Sequence, residues 1–120
     1  MIKYDIMKTG AELITEERQR QIDVEGYDAQ HDSQHDVSQF LSAAKSYMDS
    51  AHLTMESKEK DNSTHWHETN EPFYWQYIKN SFPWDEKFFK PTTPLRDLVK
   101  AGALIAAAID RLQNDELETQ

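Results

Sequence analysis

Arg18, Arg20 and Gln21 lie together in the run EERQRQ, and guanidinium groups are the side chains best suited to gripping phosphate or carboxylate through paired N–H donors. Apolar residues Ala11, Ile14 and Ile22 recur at helical spacing, and steps of three or four through them land on Arg18, which should therefore face inward. An inward arginine needs an anion. The anion is either an internal carboxylate, with Asp97 and Asp110 as candidates, or the phosphate of a ligand that Arg20 and Gln21 help to hold.

A second cluster is HDSQHD, residues 31–36, in which His31 and His35, like Asp32 and Asp36, stand four apart. On a helix each pair shares a face and offers nitrogen and oxygen ligands to a divalent cation, or the histidines contact a bound anion. The competing reading is N-capping of the next helix by Asp36. No metal site is assigned outright; His31, Asp32, His35 and Asp36 are the ligands the spacing would offer one. His65 and His67, flanking Trp66, read as surface residues.

The third cluster is SFPWDEKFFKP, residues 81–91. Trp84, Phe88 and Phe89 form either a lid that stacks on a planar ligand, with Lys87 or Lys90 on its phosphates, or a plug over the open end of a bundle. Phosphate-cradling glycine loops and dinucleotide fingerprints are not in the sequence, which has three glycines in all.

The elements expected to position these groups are helical. Thr9 and Glu12 have capping-box spacing and open a helix over about 9–24, before Gly26. A second helix over about 36–55 carries Val37, Phe40, Leu41, Ala44, Tyr47, Met48 and Ala51 as an apolar stripe. A third, over about 93–114, starts with Thr93 as N-cap and Pro94 in the first helical position. Its stripe is Leu95, Leu98, Val99, Gly102, Ile105, Ala106, Ile109 and Leu112, and alanines make its middle turns apolar all round, which marks it as the central helix.

Residues 56–91 connect the second and third helices. The first half is polar and irregular in pattern, but nine of the 13 aromatic residues of the chain fall between Trp66 and Phe89, too many for a solvated linker. The segment is expected to fold back over the helices, with a short helix around 73–79. The expected architecture is thus mainly α: a single domain over 1–120, a bundle of three main helices with a long aromatic-rich connection packed over it.

Composition narrows the function. With 13 Lys+Arg against 22 Asp+Glu the net charge is −9, and the basic residues are scattered along the chain, so general nucleic-acid binding is not expected. The absence of cysteine removes thiolate catalysis and sulfur-ligated metal. No apolar run approaches the roughly 20 residues needed to span a bilayer, and nothing resembles a secretory leader, so a cytoplasmic location is expected. A central helix this apolar in a small chain points to a homo-oligomer.

The ordered set ERQRQ (17–21), EGY (25–27), HDxxH (31–35), PWDEKFFKP (83–91) and LVKAGALIAAAIDRL (98–112) resembles a small protein family common in bacteriophages and prophages. The resemblance implies a phage or mobile-element origin, an accessory role and the cytoplasm of a bacterial host; it brings no activity with it. The helical layout is also similar to that of MazG-like nucleoside triphosphate pyrophosphohydrolases, which hold Mg²⁺ between carboxylates of ExxE and ExxD motifs on facing helices. Here the ExxE spacings, Glu56 with Glu59 and Glu68 with Glu71, fall in the polar connection, which counts against that chemistry.

Three functions follow as expectations. The first is a non-enzymatic accessory protein that binds a nucleotide-like, phosphate-bearing small molecule through Arg18, Arg20, Gln21, His31, His35, Trp84 and Lys90, sequestering a nucleotide or nucleotide-derived defence signal. The second is a divalent-metal-dependent nucleotide hydrolase drawing on Glu17, His31, Asp32, His35 or Asp36. The third is an acidic decoy that occupies a basic site on a host defence protein.

Overall fold

In the computed structural model, residues 8–26, 36–61 and 72–118 are described. Four α-helices follow one another: α1 (Gly10–Asp23), α2 (Val37–Asp61), α3 (Pro72–Ser81) and α4 (Pro94–Glu118), with a 3₁₀ turn at Glu86–Phe88. Among the described residues there is no strand, so the fold is mainly α.

Helix α1 begins with the capping box its sequence contains. Thr9 Oγ1 accepts from the Glu12 backbone N–H (3.1 Å) while the Glu12 carboxylate reaches back to Thr9 N–H (3.4 Å). Its chain leaves through Gly26 at φ 75°, a left-handed conformation that glycine adopts without a Cβ clash. Helix α4 starts at Pro94, and Thr93 Oγ1 accepts from Arg96 N–H (3.2 Å). Helix α2 runs to Asp61, further than its apolar stripe predicts, and the aromatic connection contributes α3 as a fourth helix.

Helices α2 and α4 form the principal contact, and the side chains between them are small. Ala43, Ala44 and Ala51 of α2 are buried, as are Ala101, Ala103, Ala107 and Ala108 of α4. This corrects most of the expected α4 stripe and part of the α2 stripe, whose Phe40, Ala44, Tyr47 and Ala51 are buried. Leu41 and Met48 on α2, and Leu95, Leu98, Ile105, Ile109 and Leu112 on α4, are exposed by a third to a half or more, while Ser46, Ser50, Thr54 and Asp97 are buried. Periodicity weights large aliphatics, but two helix backbones approach most closely over alanine and serine, and that face won. Helix α1 crosses α4 where Gly102 has no Cβ: one built there would stand 2.5 Å from Ile14 Cδ1.

Aromatics from residues 75–89 close one end of the α2–α4 layer. Phe82 and Phe89 lie 5.0 Å apart between ring centroids, Tyr47 packs on Phe89 at 4.9 Å, and Trp84 meets Phe40 and Phe82 edge-on at 5.6 and 5.7 Å. These rings are the bulk of the core. The aromatic connection thus packs over the helices as its composition requires.

Candidate functional site

The site is built from residues repeated at helical spacing on two helices. Glu17, Arg20 and Gln21 share one face of α1, and Arg96, Lys100 and Leu104 share one face of α4. Where those faces meet the aromatic cluster there is a cavity of about 310 Å³. Tyr47, Phe82, Trp84 and Phe88 supply its apolar wall, and Lys90 and Thr92 reach it from the segment before α4. Scattered in the sequence, four cations (Arg20, Lys90, Arg96 and Lys100) converge here with two carboxylates (Glu17 and Glu25).

Glu17 organises the charged half. It is 2% exposed, and Arg20 grips it as a fork, Nε to Oε1 at 2.9 Å and Nη2 to Oε2 at 2.8 Å. Arg96 Nη2 donates to Oε1 from across the helix interface at 3.0 Å, and Gln21 Nε2 to Oε2 at 3.4 Å. Burial works to raise the Glu17 pKa, but the Arg20 hydrogen bonds and the charges of Arg20 and Arg96 outweigh it and hold the carboxyl below its ordinary value. The pairing with Glu17, and then with Glu25 at 2.9 Å, raises the Arg20 pKa despite partial burial. Each guanidinium has five N–H donors, so both arginines keep donors beyond those that Glu17 and Glu25 engage. Gln21 Oε1 is buried and meets no donor.

Lys100 is half-buried on the other side. Its Nζ donates to the Lys90 carbonyl at 2.6 Å and lies 5.5 Å from the Tyr47 ring centroid. Burial lowers its pKa, with the negative charges of Asp97 and Glu17 offsetting part of the shift. Tyr47 fixes the same segment through its hydroxyl, which donates to the Phe88 carbonyl (3.3 Å) and accepts from Lys90 N–H (3.0 Å). Asp97, 2% exposed, anchors the start of α4 by accepting from Thr92 N–H at 2.8 Å and Ser50 Oγ at 3.3 Å.

Of the residues singled out by sequence, Arg20, Gln21, Trp84 and Lys90 line this cavity. Arg18 does not: its side chain is largely buried but pairs with Asp110 at 3.4 Å, so an internal carboxylate takes up the inward arginine. Trp84 meets Phe40 and Phe82 edge-on and forms part of the cavity wall. Lys87 lies over the Phe88 ring at 5.1 Å, and Phe89 is buried in the core. His31, Asp32 and His35, like His65 and His67, lie outside the described residues. Asp36 stands before α2 with its backbone N–H donating to Gln39 Oε1 at 3.2 Å. Glu17, a candidate metal ligand for hydrolysis, is committed to two arginines, and the described residues contain no cluster of three His, Asp or Glu able to hold a metal.

Sequence reading missed Arg96, Lys100, Thr92 and the cavity role of Tyr47. The i, i+4 spacing of Arg96 and Lys100 in the first turns of α4 is the signal that marks a shared basic face. No described helix is long and apolar enough to cross a membrane. Comparison with protein-family models, curated proteins and solved structures returns no match to this chain.

Proposed function

We propose that the protein binds a small molecule of nucleotide type, a planar ring carrying phosphate, and holds it intact. The observation that carries this reading is the meeting of four cations with an aromatic wall in one cavity of a chain whose net charge is −9. Phosphate oxygens accept from the uncommitted N–H groups of Arg20 and Arg96 and from the Lys90 and Lys100 ammonium groups, while the ring lies against Trp84 and Phe88. A volume of about 310 Å³ is at the small end of ligand sites, which run from roughly 300 to 1,000 Å³, and suits one nucleotide unit. Both carboxylates lining the cavity are bound by Arg20, which leaves neither placed as a free base and favours holding over turnover. Sequestration of a nucleotide or nucleotide-derived defence signal, in a phage accessory role, is the biological form of this reading.

The test is calorimetry with nucleoside monophosphates, diphosphates and cyclic nucleotides, each recovered afterwards and weighed by mass spectrometry. The expected result is saturable binding of at least one, recovered intact, that weakens more than tenfold in Arg96→Ala and is lost for the parent nucleoside without phosphate. Binding indifferent to Arg96→Ala, or none across the panel, overturns the reading.

A further inference from the structure

On the side of the α2–α4 layer opposite the cavity lies an apolar face. The two helices run antiparallel, since Ser50 meets Asp97 while Tyr47, one turn earlier, meets Lys100 one turn later. Both are 25 residues long. On α2, Leu41, Met48 and Met55 recur every seven residues and are 49%, 45% and 43% exposed. Placed on the helical wheel, they flank the buried Ala44 and Ala51 on the side away from Tyr47 and the cavity. On α4, Leu98, Ile105 and Leu112 also recur every seven, with Ile109 between the last two, and they flank the buried Ala101 and Ala108 on the same side. The two rows therefore make one surface.

We infer that this face is the contact between two copies of the chain, which associate face to face so that α2 and α4 of each complete a four-helix bundle. Seven-residue recurrence on two antiparallel helices of equal length is what one half of such a bundle requires, because the facing helices must meet in register over several turns. Seven large side chains left about half-exposed amount to on the order of 600 Å² of apolar surface, at the top of what monomers leave open. Two such faces bury roughly 1,200 Å², which reaches the standard interface size without counting the rim.

Charge permits a second copy as the occupant. Each chain carries −9, so two copies repel unless they meet over a neutral surface. Of the charged side chains bordering the α2 row, Lys45 is paired with Asp49 at 2.8 Å, and Glu56 meets the His52 ring at 3.1 Å. Along α4, the stretch from Ala101 to Ile109 carries no charge at all. A two-fold contact centred there sets no like charges against each other.

The test is the mass of the full-length chain by light scattering and native mass spectrometry from about 1 to 100 μM, alongside Met48→Glu and Ile105→Glu. The expected result is a wild-type species of twice the 14.1 kDa chain mass and variants that run as monomers. Because both side chains are already partly in water, the variants should keep the wild-type helical circular dichroism, which is measured on the same samples. A wild-type monomer at 100 μM overturns the inference, as do folded variants that remain dimeric. Should either variant lose its helicity, single-cysteine labelling decides: spin labels at Lys45→Cys on this face are expected to couple between copies, and labels that do not couple overturn it.

Discussion

Replacing Glu17 with glutamine probes how the two helices of the site are held together. The carboxylate is 2% exposed and joins Arg20 on its own helix to Arg96 on α4. In the amide, one oxygen becomes an NH₂ that faces a guanidinium donor, so at least one charge-assisted hydrogen bond is lost and another is opposed. Breaking a fully buried ion pair destabilises by about 3–5 kcal/mol. Here both arginine side chains are 41% exposed, and water can re-solvate them once the carboxylate is gone. The expected loss is therefore about 2 kcal/mol, which for a chain of this length lowers Tm by roughly 6–12 °C. Thermal melts followed by circular dichroism at pH 7 measure it. Because the folded-state pKa of Glu17 lies below its ordinary 4.5, its contribution is present in full above that value and is lost as pH falls through the folded pKa. The gap in Tm between wild type and Glu17→Gln should accordingly narrow as pH falls below 4.5. The freed guanidinium groups should also give the variant a larger stabilisation by inorganic phosphate than the wild type shows. A Tm change under about 2 °C at pH 7, or an undiminished gap at pH 3, refutes the argument.

Tyr47→Phe removes the hydroxyl that links the Phe88 carbonyl to Lys90 N–H; the expected loss is about 1–2 kcal/mol in urea unfolding, with ligand affinity falling several-fold because Phe88 and Lys90 line the cavity. Gly102→Ala places a Cβ 2.5 Å from Ile14 Cδ1, so overpacking of about 1–3 kcal/mol outweighs the roughly 1 kcal/mol that alanine gains in a helix. In an Ile14→Ala background the same change should stabilise, and a cycle showing no coupling would contradict the close approach. The Lys100 amine titrates below its ordinary 10.5 because of burial, so its proton costs stability at neutral pH, a cost relieved as pH rises from the folded pKa towards the ordinary value. A bound anion reverses this, and calorimetry at about pH 9.5 in two buffers should show proton uptake that Lys100→Met abolishes.

The capping box at Thr9 and Glu12 and the Thr93–Pro94 start of α4 were readable because they depend on side chains within one turn. The inward placement of Arg18 was readable for the same kind of reason: its angular position on α1 is local. Its partner Asp110 was one of two candidates, and choosing it over Asp97 takes the packing of α1 on α4. The stripes of α2 and α4 misled at their large aliphatics, although Phe40, Ala44, Tyr47 and Ala51 of the α2 stripe do lie in the core. Their large aliphatics mark an apolar surface, but nothing within one helix says whether that surface meets a neighbour in the same chain, and the alanine face of each helix proved the better partner for the other. The cavity combines both limits. Arg20, Gln21, Trp84 and Lys90 stood out by type, whereas Arg96 and Lys100 gain their meaning only once α1 lies across α4 and brings Glu17 to them.

The small side chains between α2 and α4 have a further consequence. Alanine and serine bury little area each, so the core of one chain is concentrated in the aromatic cluster, and Tyr47, Phe82 and Trp84 of that cluster also wall the cavity. A ligand seated there touches the most stabilising part of the fold, which links occupancy directly to melting temperature. The aliphatic rows of Met48 and Ile105 sit across the layer, separated from the cavity by the helices themselves. Substitutions on the two sides share no partner and should combine additively, within about 0.5 kcal/mol, provided protein concentration is held fixed. Arg96→Ala combined with Ile105→Glu tests the separation: an excess over the sum of the single changes would mean that self-association shapes the cavity, and agreement with the sum would mean that each copy assembles its own site.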